Sequence, residues 1–144
     1  MRIYIKDIGP DGLELKKSIL EKDLGLEKLP GIVLNAPIEI QGFVQKKGDT
    51  VVLDLTFKGF FSFECSRCLD EVERIIEKDF SLEYQINRSM LFIDIIEDVR
   101  QEVFLSFPEK VLCQDSCRGI CPQCGINLNI EKCQCHKNSF QVQE

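Results

Sequence analysis

No apolar run in this 144-residue chain approaches the ~18 residues of a membrane-spanning helix, so no membrane span is expected. An apolar leader is missing as well. The start, Met1-Arg-Ile-Tyr-Ile-Lys-Asp7, carries charge where a signal peptide needs an apolar stretch. These two absences give the expectation of a cytoplasmic protein. Positive charge is also short: the net formal charge is −6. That argues against a strong, non-specific grip on nucleic acid, which needs a basic face, and leaves room for a local basic patch or a protein partner. Histidine is almost absent. His136 is the single one, beside Cys135; it has no partner that would make it a base, and it reads as a neighbour or substitute ligand of a cysteine site. Internal repeats, a phosphate-binding Gly loop and low-complexity tracts are missing. The paired acids Glu71/Glu73 and Glu97/Asp98 read as solvated faces. Neither catalysis nor a small-molecule substrate is expected.

Cysteine is what the chain has in quantity. Six of the eight cysteines lie between Cys113 and Cys135, at positions 113, 117, 121, 124, 133 and 135. The other two form Cys65-Ser-Arg-Cys68. In a reducing compartment such thiols read as metal ligands, not disulfides. The spacing has a chemical reason. Two residues between thiolates let both sulfurs reach one ion from a tight turn. In Cys121-Pro-Gln-Cys124-Gly125, Pro122 fixes φ, and Gly125 allows the positive φ that turns backbone N–H groups toward the sulfurs.

Four cysteine pairs can fill two tetrahedral sites in three ways. The preferred grouping joins Cys121, Cys124, Cys133 and Cys135, because the enclosed loop is short and closing it costs little entropy. Cys65, Cys68, Cys113 and Cys117 then form the other site, which clamps a hairpin tip to residues beyond a helix. The rival, Cys113 and Cys117 with Cys121 and Cys124, is also local and stays open. Two zinc centres, each held by four cysteines, are expected. Each is formally −2, which would take the chain to about −10. Their expected role is to staple a small fold, since all-thiolate sets are usually closed. An iron–sulfur cluster and a redox CxxC are the alternatives.

The rest of the chain reads as α+β: an antiparallel sheet, barrel-like if it closes, with one main helix and the C-terminal Cys-rich zinc module. Residues 1–108 are expected as a β-rich domain, and 109–144 as a metal module clamped to the 65–68 knuckle. Met1 to Ile8 alternates as a strand. Leu13 to Leu29 fits strand or helix. Ile32 to Gln45 is a strand run broken by Pro37, and Lys46-Lys47-Gly48-Asp49 is a hairpin turn. From Thr50, Val51, Leu53, Leu55 and Phe57 share one face, and Gly59 suggests a bulge. Leu69 to Tyr84 reads as the return strand, with a helix from Asp70 as the alternative. Asp94 with Glu97 resembles a capping box before a helix over about 95–107, whose stripe is Ile95, Ile96, Val99, Val103 and Phe104. Phe57, Phe60, Phe61 and Phe63 read as core in preference to an RNA-stacking platform. Arg67, Arg118 and Lys132 stand beside the knuckles as weak candidates for contact with phosphate or a partner.

Three stretches carry a resemblance: Glu64-Cys-Ser-Arg-Cys-Leu69, the Asp94-led helix ending at Phe107-Pro108, and Cys117-Arg-Gly-Ile-Cys-Pro-Gln-Cys-Gly-Ile-Asn-Leu-Asn129 with Cys133-Gln-Cys135. In order and spacing they resemble the YceD-like proteins, also called large ribosomal RNA subunit accumulation proteins, over roughly the last 80 residues. The resemblance implies a metal-binding factor in large-subunit rRNA accumulation or processing, with large-subunit rRNA or an assembling ribosomal protein as partner. It also implies two separable cysteine groups, since some members lack the later four. The chain departs from the family after Cys135, where Lys137-Asn-Ser-Phe140 replaces an Asp-Pro-Arg segment. A zinc-stapled protein-interaction adaptor and a thiol-redox or zinc-sensing protein are the functional alternatives.

Overall fold

Alternation of apolar and polar residues builds the sheet, which is seen in a computed structural model describing residues 1–135. Seven strands run in the order β1 (Arg2–Tyr4), β2 (Leu13–Ile19), β3 (Ile32–Leu34), β4 (Ile38–Lys47), β5 (Thr50–Glu64), β6 (Glu71–Gln85) and β7 (Phe92–Asp94). Two helices join them, a single turn α1 (Glu21–Leu24) and α2 (Ile96–Leu105). Strands β2, β4, β5 and β3 lie side by side, β6 pairs with β5, and β1 and β7 form a separate two-stranded ribbon. Among the described residues the outer strands β2 and β6 do not pair, so the sheet is open and not a closed barrel.

The chain divides into two compact units. One is Met1–Ser62 with Glu73–Pro108; the other is Phe63–Val72 with the described residues from Glu109 on. The first holds the main core. Ile38, Ile40, Val44, Leu53 and Phe57 of the sheet are fully buried, as are Ile95, Val99 and Val103 at α2. Burying each such side chain contributes about 1.5–3 kcal/mol. The β4–β5 hairpin turns at Gly48-Asp49, with Lys47 opposite Thr50 and Gly48 at φ 63°. Across β5 and β6, Gln85 meets Thr50, Ser81 meets Asp54 and Thr56 meets Asp79, the order of an antiparallel return strand. Against α2, Lys78 pairs with Glu102 at 2.7 Å and the Tyr84 hydroxyl donates to Asp98.

Three expectations are corrected. Burial alternates through Gly59 without a shift, so no bulge forms there; the missing side chain makes room for the Phe61 ring, which a Cβ would strike. Strand β1 stops at Tyr4, where Ile5–Asp7 turn into a short 3-10 segment. The 13–29 segment, open between strand and helix, is both: a strand to Ile19 and then short helical turns. Helix α2 spans 96–105, within two residues of the expected bounds, but no capping box forms. Ile95 is the N-cap and is itself buried; Asp94, still in β7, accepts the Ile96 N–H at 3.3 Å and the N-terminal ammonium at 2.7 Å. No helix among the described residues is long and apolar enough to cross a membrane.

Candidate metal centres

Two turns of the same design present four of the thiols. In the upstream knuckle, Leu69 N–H donates to the Cys65 carbonyl at 3.0 Å and Cys65 N–H to the Asp70 carbonyl at 2.8 Å. In the downstream one, Gly125 N–H donates to the Cys121 carbonyl and Cys121 N–H to the Ile126 carbonyl, both at 2.8 Å. The residue after the second cysteine is left-handed in both: φ is 65° at Leu69 and 74° at Gly125. Glycine adopts this conformation freely; leucine is strained by its Cβ. Leu69 is the only non-glycine with positive φ among the described residues.

The sulfurs gather in two sets, Cys65, Cys68, Cys113 and Cys117, and Cys121, Cys124, Cys133 and Cys135, each set lying within 4.8 Å. The separations bear on whether an ion fits. Four sulfurs at about 2.3 Å from a tetrahedral centre lie about 3.8 Å apart, whereas a disulfide would hold two at about 2.05 Å. Here Cys65 and Cys117 are 3.8 Å apart, Cys68 and Cys113 3.5 Å, Cys124 and Cys133 3.5 Å, and Cys121 and Cys133 3.2 Å. All eight cysteines are free thiols. Both sets therefore have the donor atoms and the spacing to hold a metal ion.

Backbone donors tune the first thiol of each knuckle. The Cys68 N–H, followed by those of Arg67 and Cys113, lowers Cys65 to about 6 against the opposing effect of burial. The Cys124 and Gln123 N–H groups, with the Cys133 thiol, lower Cys121 to about 6. Cys68 and Cys135 go the other way. Cys68 is raised: the Asp70 N–H pulls it down, but burial and the side chains of Asp70, Cys65 and Cys113 outweigh that. Cys135 is pushed up to about 12 by the Cys133 and Cys124 thiols and by burial. Each set thus contains a thiol that ionises readily, Cys65 in the first and Cys121 in the second. In the first set Cys117 is lowered as well: burial opposes this, but the Asn129 side chain and the Gly119 N–H outweigh it.

Around the first set lies a polar shell that cysteine spacing does not announce. Asn129 donates to the Cys117 sulfur at 3.3 Å and accepts the Arg118 N–H at 2.8 Å. Asn127 donates to the Asp70 carboxylate at 2.9 Å, next to Cys68. Both asparagines belong to the Gly125–Lys132 loop of the second set, so that loop supports the first set's ligands. Such outer contacts fix ligand orientation. The Asn127-Leu128-Asn129 stretch between two cysteine pairs is the one sequence signal that could have drawn attention to them.

Of the candidate contact residues, Arg67 is already engaged: its guanidinium donates to the Cys117 carbonyl at 2.8 Å. Arg118 and Lys132 are exposed. Phe57, Phe61 and Phe63 are buried and Phe60 half-buried, which makes that aromatic run core. His136 and the following tail lie outside the described residues.

The sequence family described as large ribosomal RNA subunit accumulation protein YceD matches residues 86–142. Among curated proteins, the large ribosomal RNA subunit accumulation protein YCED homolog 1, chloroplastic, of Arabidopsis thaliana is 42% identical over 43 residues, which is 30% of this chain and 13% of that relative. The chain therefore covers a small part of that protein's length. No solved structure matches. The likeness to the YceD-like family covers α2 and most of the cysteines and leaves out the Cys65–Cys68 knuckle.

Proposed function

We propose, starting from that family likeness, that this chain is a non-enzymatic zinc-binding factor in the accumulation of large-subunit rRNA, acting by binding rRNA or an assembling ribosomal protein. The observation that carries the reading is the pair of four-thiol sets at tetrahedral spacing, with six of the eight thiols inside the matched segment. Four thiolates complete a tetrahedral ion and leave no open position for water or substrate, which supports a stapling role over a catalytic one. Zinc is favoured over an iron–sulfur cluster because sulfurs all within 4.8 Å of one another suit one ion, and a cluster of several irons spreads its thiolates wider. The chain's own residues present the ligands: the knuckle N–H groups stabilise thiolates, and Asn127 and Asn129 hold the shell.

The test is the ratio of large- to small-subunit rRNA in cells depleted of the protein, with metal analysis of tag-free protein beside it. A selective fall in large-subunit rRNA, with two zinc ions per chain, is the expected result. An unchanged ratio with impaired growth would reject the rRNA role in favour of a zinc-stapled adaptor. Reduced protein that carries no metal would reject the zinc role.

A further inference from the structure

The β1–β7 ribbon has a face that neither the core nor the metal sets use. Its register places Arg2 opposite Asp94, Ile3 opposite Ile93 and Tyr4 opposite Phe92. Ile3 and Ile93 are buried, so alternation turns Arg2, Tyr4, Phe92 and Asp94 outward. Tyr4 and Phe92 form an exposed edge-to-face pair, ring centroids 6.0 Å apart. The Arg2 guanidinium lies 4.5 Å over Phe92, and the Lys6 ammonium 5.8 Å from the centre of Tyr4. Beside them Tyr4, Ile5, Lys6, Met90 and Leu91 line a groove of about 400 Å³, with Leu91 74% exposed.

Exposed aromatic pairs are unfavourable to leave in water, and this pair has a cation at each end. Asp94 is occupied by the N-terminal ammonium and by Arg2, while Lys6 has no ion-pair partner among the described residues. Flat apolar rings bracketed by cations complement a single strand of nucleic acid, whose bases stack and whose phosphates lie on either side. A guanidinium resting on a ring also offers a second flat surface to a base. A duplex hides those base faces. The chain's net charge of −6 disfavours coating long RNA and suits one short contact of this kind.

We propose that this ribbon face binds a short single-stranded RNA segment, with bases stacked on Tyr4, Phe92 and the Arg2 guanidinium and a phosphate at Lys6. The inference rests on the RNA branch of the proposed function. It is tested with the full, metal-loaded chain and a fluorescent single-stranded oligoadenylate, read by anisotropy, with an RNA duplex of similar length as comparison. Tyr4→Leu and Phe92→Leu keep apolar bulk on the strands and remove the stacking surface. Each is expected to weaken single-strand binding roughly fivefold or more, with unchanged thermal unfolding. Lys6→Gln is expected to flatten the salt dependence by about 0.7 in log–log slope. Three results would overturn the inference: single-strand binding unaffected by the leucine variants, equal affinity for the duplex, or no RNA binding while the same variants abolish capture of a ribosomal protein. If any of these appears while depletion still lowers large-subunit rRNA, only the ribbon assignment fails. If depletion leaves the rRNA ratio unchanged, the proposed function fails.

Discussion

Leu69 occupies a position whose counterpart is glycine. The two knuckles share their hydrogen bonds and differ there, so the pair forms an internal experiment on backbone strain. A Cβ at Gly125 would meet nothing within 4 Å, so substitution there is opposed by backbone conformation alone. Gly125→Ala is expected to lower the stability of the metal-loaded protein by about 1 kcal/mol, and Leu69→Gly to raise it by a similar amount. Urea unfolding of both variants checks the pair. Opposite signs support strain at Leu69; loss of stability in both would mean that the leucine side chain contributes more than its φ costs. The residue scale is also where sequence reading ran short. Nothing in Cys65-Ser-Arg-Cys68-Leu69 reveals that leucine takes the glycine conformation, because the need arises from closing the turn. Tyr4 and Phe92 meet only through a pairing of distant strands, so their adjacency had no local signal.

Elements were legible where one local rule decided them. The alternation of Val51, Leu53, Leu55 and Phe57 gave the buried face of β5, and the stripe Ile95, Val99, Val103 gave the buried side of α2. Boundaries were less legible because tertiary contacts compete with local preference. Asp94 looks like a cap, yet β7 holds it one residue too early and the Ile95 backbone takes the N-cap place. Its carboxyl still serves the helix start through the Ile96 N–H. Asp94→Ala is therefore expected to destabilise the protein by about 1 kcal/mol or less, measured by chemical denaturation. The N-terminal ammonium, with the Ile96 N–H and Arg2, lowers the Asp94 carboxyl below its usual range. A lowered carboxyl stabilises above its unfolded value, so this contribution is lost as pH falls through the folded one. Within β4, Gly42 has no such latitude: a Cβ would run into the Asp54 carbonyl oxygen. Gly42→Ala is expected to cost about 2 kcal/mol or more, because backbone must move to admit it.

Across the whole molecule, the two thiol sets differ in exposure. In the first, Cys65, Cys68 and Cys117 are buried; in the second only Cys121 is. A chelator is therefore expected to remove metal in two phases, the set with Cys124, Cys133 and Cys135 first. Cys133→Ser should eliminate the fast phase and Cys113→Ser the slow one, read by a zinc-sensitive dye. Acid should release both. Cys65 and Cys121 are lowered from 9.0 to about 6, so their stabilising effect is complete above the usual thiol range and lost as pH falls through about 6. Unfolding temperature of the metal-free protein should fall over that window. Which cysteine pairs share a set was open to spacing alone, since Cys113 and Cys117 are close in sequence to both candidate partners. The short loop between Cys124 and Cys133 favours the observed grouping, while the packing that brings Cys113 and Cys117 to Cys65 and Cys68 is long-range and leaves no local signal.

The wide span of the first set also imposes an order on synthesis. Cys68 and Cys113 are 45 residues apart. At about 5–20 residues per second, a ribosome takes roughly 2–9 s to make that interval. Throughout that time the Cys65–Cys68 knuckle is a two-thiol half-site whose other ligands are not yet made, whereas the second set arises within one short stretch. The nascent chain therefore passes through a window in which its first knuckle is open to oxidation or to a borrowed ligand, and the closing thiols arrive only after α2 has been made.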